Sequence, residues 1–108
     1  MKLRLIVSED AERDLDAQFE FLADRSLEAA VRLLDAVQAA YARLRAMPEV
    51  GSTYSATDPK LPKLRVWPVP DFPKILIHYR VSAGSVEVVR FLHAAQDRAR
   101  ILGDEDEE

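Results

Sequence analysis

The sequence predicts an α+β fold of order β-α-α-β-β-β, with a helical hairpin packed on one face of a small, mainly antiparallel sheet. Three observations carry that expectation. Apolar residues recur every three or four positions from Ala11 to Leu22 and again from Leu27 to Leu44, with only Arg25 and its neighbours between the two stripes. KILIHYRV (Lys74–Val81) is dense in β-branched and aromatic residues, and VEVVRFL (Val86–Leu92) repeats that character after a short turn. Lys2–Val7 alternates polar and apolar residues before an apolar run, which reads as an opening strand.

The elements follow in order. Ser8 is placed to cap a first helix, its hydroxyl accepting a free amide of the first turn. Glu9, Asp10 and Glu12 put negative charge where the helix dipole favours it. Ala11, Leu15, Phe19 and Leu22 form the stripe of that helix, which runs to about Asp24. Ser26 caps a second helix whose stripe is Leu27, Ala30, Leu34, Val37, Tyr41 and Leu44, and Pro48 and Gly51 stop it. So short a connection makes the two helices an antiparallel hairpin. Glu49 to Pro62 is rich in Gly, Ser, Thr, Asp and Pro and reads as a loop. Leu64–Trp67 is a short strand ended by Pro68, and Pro70, Asp71 and Pro73 shape the connection to the strand Lys74–Val81. Ser82–Ser85, with Gly84, reads as a hairpin turn before the strand Val86–Leu92. Ala94–Leu102 reads as a short terminal helix closed by Gly103. Both long strands carry apolar residues at both parities, more than one buried face requires, which leaves surface for a partner chain.

A chain of 108 residues suits a single domain, expected over residues 1–103, with the acidic end Asp104 to Glu108 too self-repelling to order. With no cysteine there is neither a disulfide framework nor a cysteine-based metal site. No secretory apolar segment opens the chain, because charge returns at Glu9, and no stretch approaches the roughly 18–20 apolar residues of a membrane span. A soluble cytoplasmic protein is expected. The net charge of −4 hides a segregation. Residues 1–59 carry 7 Lys/Arg against 11 Asp/Glu, residues 60–103 carry 8 against 3, and the last five residues are all acidic. A basic surface on an acidic protein is one consequence, able to attract an anionic partner; a mixed, solvated surface is the other reading.

Individual residues leave similar alternatives. Arg65, Arg80 and Arg90 fall on three neighbouring strands; on one face they would make a basic patch for phosphates or acidic segments, and otherwise they are scattered arginines, some paired with Glu87 or Asp97. Trp67 is the only tryptophan, a packing anchor or an interface hot spot. Tyr79 reads as a core aromatic first and a general acid second. His93, where the last strand ends, is a hydrogen-bonding structural residue or a partner contact. His78 is expected to be structural, and two imidazoles without a carboxylate pattern make a poor metal site. No metal or cofactor is implied. No glycine-rich phosphate loop, nucleophile elbow or carboxylate pair appears.

Two segments carry a resemblance. RVWPVPDFPKILIHYRV (Arg65–Val81) and VEVVRFLHAAQD (Val86–Asp97), with the element order from Lys2 to Leu102, resemble the ParE/RelE toxin superfamily of bacterial type II toxin–antitoxin systems. Arg65–Val81 is similar to the family's basic and aromatic strand, its loop and a strand ending Tyr-Arg-Val. Val86–Asp97 is similar to the family's last strand, running through an Arg into a Leu-His pair. RelE-like members cut messenger RNA on the ribosome with Arg, Lys and Tyr side chains on the concave sheet face. ParE-like members block DNA gyrase without cleaving a substrate themselves. Aligned without gaps, Leu76 and Ala95 stand where RelE-like members carry arginines, and no tyrosine follows Tyr79. These departures favour the ParE-like branch; Gln96, where ParE-like chains commonly carry a basic residue, is a departure from that branch too.

The resemblance thus implies a non-enzymatic gyrase inhibitor, with growth inhibition and plasmid stabilisation as its biology, neutralised in a hetero-oligomer by a cognate antitoxin. Its target- or antitoxin-binding residues would be Lys63, Arg65, Trp67, Tyr79, Arg80, Arg90, His93 and Arg98. Nucleic acid would enter only indirectly, and no membrane is involved. The alternative is a ribosome-dependent endoribonuclease using Arg80, Arg90, His93 or Tyr79, and a further one is a non-toxic interaction domain of the same fold. The toxin alone is expected to be poorly soluble and rescued by coexpression with its antitoxin. In ParE-like chains the C-terminal region is implicated in toxicity, yet removal of the tail after Gly103 is expected to change little.

Overall fold

The computed structural model describes residues 3–54, 63–96 and 101–102. Strand β1 (Arg4–Val7) leads into helices α1 (Glu9–Ala23) and α2 (Leu27–Ala46), and a 3₁₀ turn (Pro48–Val50) leads to β2 (Ser52–Tyr54), β3 (Leu64–Val69), β4 (Phe72–Ser82) and β5 (Ser85–His93). The sheet order is β1-β5-β4-β3-β2; β1 lies parallel to β5 and every other pair is antiparallel. The α+β reading therefore stands, with one strand more than expected. None of the described helices is long and apolar enough to cross a membrane.

Both helices begin as the caps require: Ser8 Oγ accepts from Ala11 N at 3.0 Å and Ser26 Oγ accepts from Ala29 N at 3.1 Å. The inward stripe of α2 is not quite the expected one. Ala30, Leu33, Ala36, Val37, Ala40 and Leu44 are buried, whereas Leu27 and Leu34 are 64% and 39% exposed. Three alanines on this face let the helix lie close to its neighbours, so the larger side chains on its flank turn outward.

Strand β2 falls inside the segment expected to be loop. Its three residues have no alternation of their own and are a strand only because β3 pairs with them, Thr53 opposite Arg65. Strand β3 runs past its expected end, through Pro68 to Val69. Because β2 stops opposite Val66, β3 is unpaired on that side from Trp67 onward, where proline is tolerated. Strand β4 likewise starts early, at Phe72, and its Pro73 falls where the β3–β4 register slips, between Pro68/Leu76 and Val69/Phe72. A two-residue turn of Pro70 and Asp71 joins them, with Asp71 at φ 70°, a left-handed conformation that Asp accepts more readily than most residues. Residues 94–96 form a turn after β5 and not the start of a helix. Most of the remainder of that expected helix, Arg98 with it, and the acidic tail lie outside the described residues.

The core sits between the hairpin and one face of the sheet: Leu33, Val37 and Leu44 meet Val69, Ile75, Ile77, Tyr79, Val86, Val88 and Phe91. The spacing in β5 breaks period two, since Val86 and Val88 point inward but so does Phe91. A bulge explains it: Tyr79 pairs with Val88 and His78 with Arg90, which leaves Val89 as an extra residue. The N-terminal end of α1 satisfies the backbone there, Ser8 N donating to Val88 O at 3.0 Å and Ser8 Oγ to Val89 O at 2.8 Å. The second face is not a bare surplus: His78 and Leu92 are fully buried and Leu64 nearly so. The exposed apolar surface lies instead largely on the hairpin, at Phe21, Leu27, Val31 and Leu34.

Candidate functional site

The three arginines expected to share a patch are placed in three different ways. Arg90 belongs to the bulge and turns to α1, where its Nε and Nη2 donate to Asp14 Oδ2 and Oδ1 at 2.6 and 2.9 Å. Asp14 Oδ2 also accepts from Phe91 N at 3.0 Å, so one carboxylate ties the bulge to the helix. The hydrogen bond to Asp14 raises the Arg90 pKa above its already high ordinary value, outweighing the opposing effect of burial. Arg65 lies opposite Tyr79, on the helix-bearing face, and its Nη1 donates to Gly51 O at 2.8 Å and more weakly to Glu49 O at 3.4 Å. Arg80 points to the other face and pairs with Glu87, Nε to Oε1 at 2.7 Å. No common patch of all three forms.

Tyr79 is wholly buried beneath α2 and the 3₁₀ turn. Its hydroxyl donates to Pro48 O at 2.6 Å and accepts from Gly51 N at 2.9 Å, so both of its hydrogen-bonding roles are used. Burial raises its pKa, the Gly51 hydrogen bond and Arg65 opposing. Gly51 is glycine for a steric reason: a Cβ there would stand 2.7 Å from the Tyr79 hydroxyl and 2.9 Å from Val66 O. Trp67 packs half-buried against the core, opposite Ile77. His78 is buried and edge-on to Tyr54, with Nδ1 3.3 Å from Leu76 O.

His93 closes β5. Its Nδ1 accepts from Ala95 N at 3.1 Å, which puts the neutral ring's proton on Nε2, and its own N–H donates to Gln96 Oε1 at 2.6 Å. Gln96, a departure from the ParE-like pattern, thus stitches the turn after the last strand. His93 and Gln96 border a shallow cleft of about 320 Å³ with Ala17, Gln18 and Phe21. His93 lies opposite Ile75 and Arg80 opposite Glu87. At about 3.4 Å per residue along β4, that separates Arg80 from His93 by roughly 17 Å, on opposite faces. Tyr79, Arg80, Arg90 and His93 therefore do not converge on a point where one phosphodiester could sit. Among the described residues no three His, Asp or Glu side chains are grouped to hold a metal ion.

What the structure does gather is at the other end of the sheet, where a cleft of about 260 Å³ is lined by Thr53, Lys63, Leu64, Arg65, Arg80 and Val81. Lys63, Arg65 and Arg80 were legible as candidates; Thr53 was not, because β2 was not. Asp14 was also missed, although an acid three residues after Ala11 on the inward side of α1 is the kind of signal that marks a buried partner. Leu27, Val31 and Leu34, at helical spacing, form a second apolar line along α2 that a single-stripe reading merges with the first.

Comparison with known proteins bears on this geometry. The family described as ParE toxin of type II toxin-antitoxin system, parDE, matches residues 5–98. Among solved structures the chain is similar to one from the chromosomal ParDE TA system of P. aeruginosa, at 16% identity and a TM-score of 0.68, covering 85% of this chain and 96% of that one. Comparison with curated proteins finds no match. At that identity the structural likeness speaks for the fold alone, but the family match spans most of the sequence, and the chain belongs to the ParE toxin family of type II toxin–antitoxin systems.

Proposed function

We propose that this ParE toxin inhibits DNA gyrase by binding it, without cleaving a substrate, and is neutralised by a cognate antitoxin in a hetero-oligomer. One observation carries the choice of target: the side chains an RNA-cleaving relative would need are tied up or apart. Cleavage at a 2′-hydroxyl needs a base, a charge stabiliser and an acid around a single phosphate. Here Tyr79 is buried with its hydroxyl engaged, Arg90 is clamped by Asp14, and Arg80 and His93 stand at opposite ends of β4 and β5. The hairpin's outward apolar line and the basic cleft are surfaces for protein contact instead. The reading includes a single toxin domain over residues 1–103 acting in the cytoplasm.

The test uses one purified, antitoxin-free sample in two assays, gyrase supercoiling of plasmid DNA and cleavage of messenger RNA on translating ribosomes. Loss of supercoiling with intact RNA is the expected result. RNA cleavage with normal supercoiling overturns it, and silence in both from folded protein points to a non-toxic interaction domain.

A further inference from the structure

The cleft at the end of β3 carries charge that the described residues do not neutralise. Lys63 is exposed and makes no ion pair among them. Arg65 is half-buried and donates to backbone carbonyls, Gly51 O and Glu49 O, which orient a guanidinium without cancelling its charge. Arg80 differs, since Glu87 is its counter-ion on the opposite face. Lys63 and Arg65 are therefore two cations on one cleft that also offers a hydroxyl at Thr53 and exposed hydrocarbon at Val81. A bidentate oxyanion with an apolar neighbour fits that mixture.

Two features decide what kind of molecule brings the anion. The protein's net charge of −4 opposes the approach of a long polyanion, whereas a single carboxylate feels mainly the local cations. Strand β2 stands at the sheet edge with Thr53 opposite Arg65, so an extended peptide added beside it would direct every second side chain to the face those two residues share. We infer that this cleft receives an aspartate or glutamate side chain of an extended, acidic–apolar peptide segment of the neutralising antitoxin, held by Lys63 and Arg65. The inference rests on the toxin–antitoxin reading above and adds to it the place and chemistry of the contact.

The experiment measures affinity of refolded toxin for the antitoxin encoded beside it, at salt from about 50 to about 500 mM. The proteins compared are the parent, Lys63→Glu, Lys63→Gln and Arg65→Lys, with Lys74→Gln as an exposed cation away from the cleft. Lys63→Gln should weaken binding about tenfold with a shallower salt dependence, Lys63→Glu more, and Lys74→Gln should match the parent. Arg65→Lys, which keeps charge but loses the planar fork, should also weaken binding, and unfolding curves identify any loss due to the Gly51 contact. Restoration of Lys63→Glu binding by an antitoxin with one acidic residue changed to Lys would name the partner residue. Equal affinity of the parent and both Lys63 variants overturns the cleft assignment while leaving the antitoxin reading intact. Failure of the parent itself to bind overturns both. Loss of duplex DNA binding in Lys63→Gln, with antitoxin affinity unchanged, would reassign the cleft to nucleic acid.

Discussion

Replacing Asp14 should cost more stability than any other exposed-looking acid on α1. Its carboxylate accepts from Arg90 at 2.6 and 2.9 Å and from Phe91 N at 3.0 Å. Asp14→Ala removes all three and leaves a guanidinium with 23% of its side chain exposed beside an amide at the bulge. Breaking a fully buried pair costs about 3–5 kcal/mol, and the partial access of water to both partners brings the expectation here to roughly 2–3 kcal/mol. For a domain of this size that is on the order of 10–20 °C in Tm. Asp14→Asn, which keeps an acceptor but loses the charge, should cost about half as much. The control is Arg13→Ala: Arg13 pairs with Asp10 in the open, at 69% and 58% side-chain exposure, and its loss should stay within about 0.5 kcal/mol. Urea unfolding followed by circular dichroism measures each. An Asp14→Ala protein as stable as Arg13→Ala would refute the idea that this clamp pins α1 to the bulge.

Three further outcomes follow from the same packing. Tyr79→Phe leaves Gly51 N and Pro48 O without their buried partner and should lower stability by roughly 1–3 kcal/mol, yet the folded variant should still inhibit supercoiling; loss of inhibition at full stability would give Tyr79 a functional role instead. Burial, with Glu12 adding, pushes the Tyr41 phenol up to about 12 from 10.0, so above pH 10.0 the folded state keeps a proton the unfolded chain releases. Stability should then fall as pH rises toward about 12, and Tyr41→Phe should soften that fall in alkaline unfolding curves. Changing Leu27, Val31 and Leu34 together to Gln should raise the soluble fraction of antitoxin-free toxin while moving stability by no more than about 1 kcal/mol, since all three are exposed; a large loss would mean they belong to the core.

The helices were legible from their apolar spacing and caps, and the two long strands from their density of β-branched and aromatic residues on either side of a turn. Ser8 and Ser26 cap where a hydroxyl is expected to cap, and Gly84, at φ 81°, makes the hairpin turn. What escaped depends on pairing between segments distant in sequence. Strand β2 has three residues and no pattern; its identity comes from β3. Whether Arg65 and Arg80 share a face is decided by a register in which Tyr79, and not Arg80, stands opposite Arg65. Period two, counted along β5 without the bulge at Val89, gives the wrong side for Phe91, Leu92 and His93. The candidate site was therefore readable as a set of residue types and not as an arrangement.

That distinction changes how toxicity data on this chain should be read. Five lysines and arginines looked equivalent as partner contacts, and the structure sorts the four that lie within the described residues by what already holds them. Arg90 is held by a carboxylate and a bulge, so its substitution acts first on the folded state and a lost phenotype would say little about the target. Arg80 has Glu87, and an exposed pair of this kind contributes little to stability, so its replacement reports on binding with less interference. Arg65 does both jobs, orienting the 3₁₀ turn through Gly51 O while facing the cleft. Lys63, exposed and without an ion pair among the described residues, is the position where a changed phenotype can be assigned to contact alone, and mapping of the toxin surface should begin there.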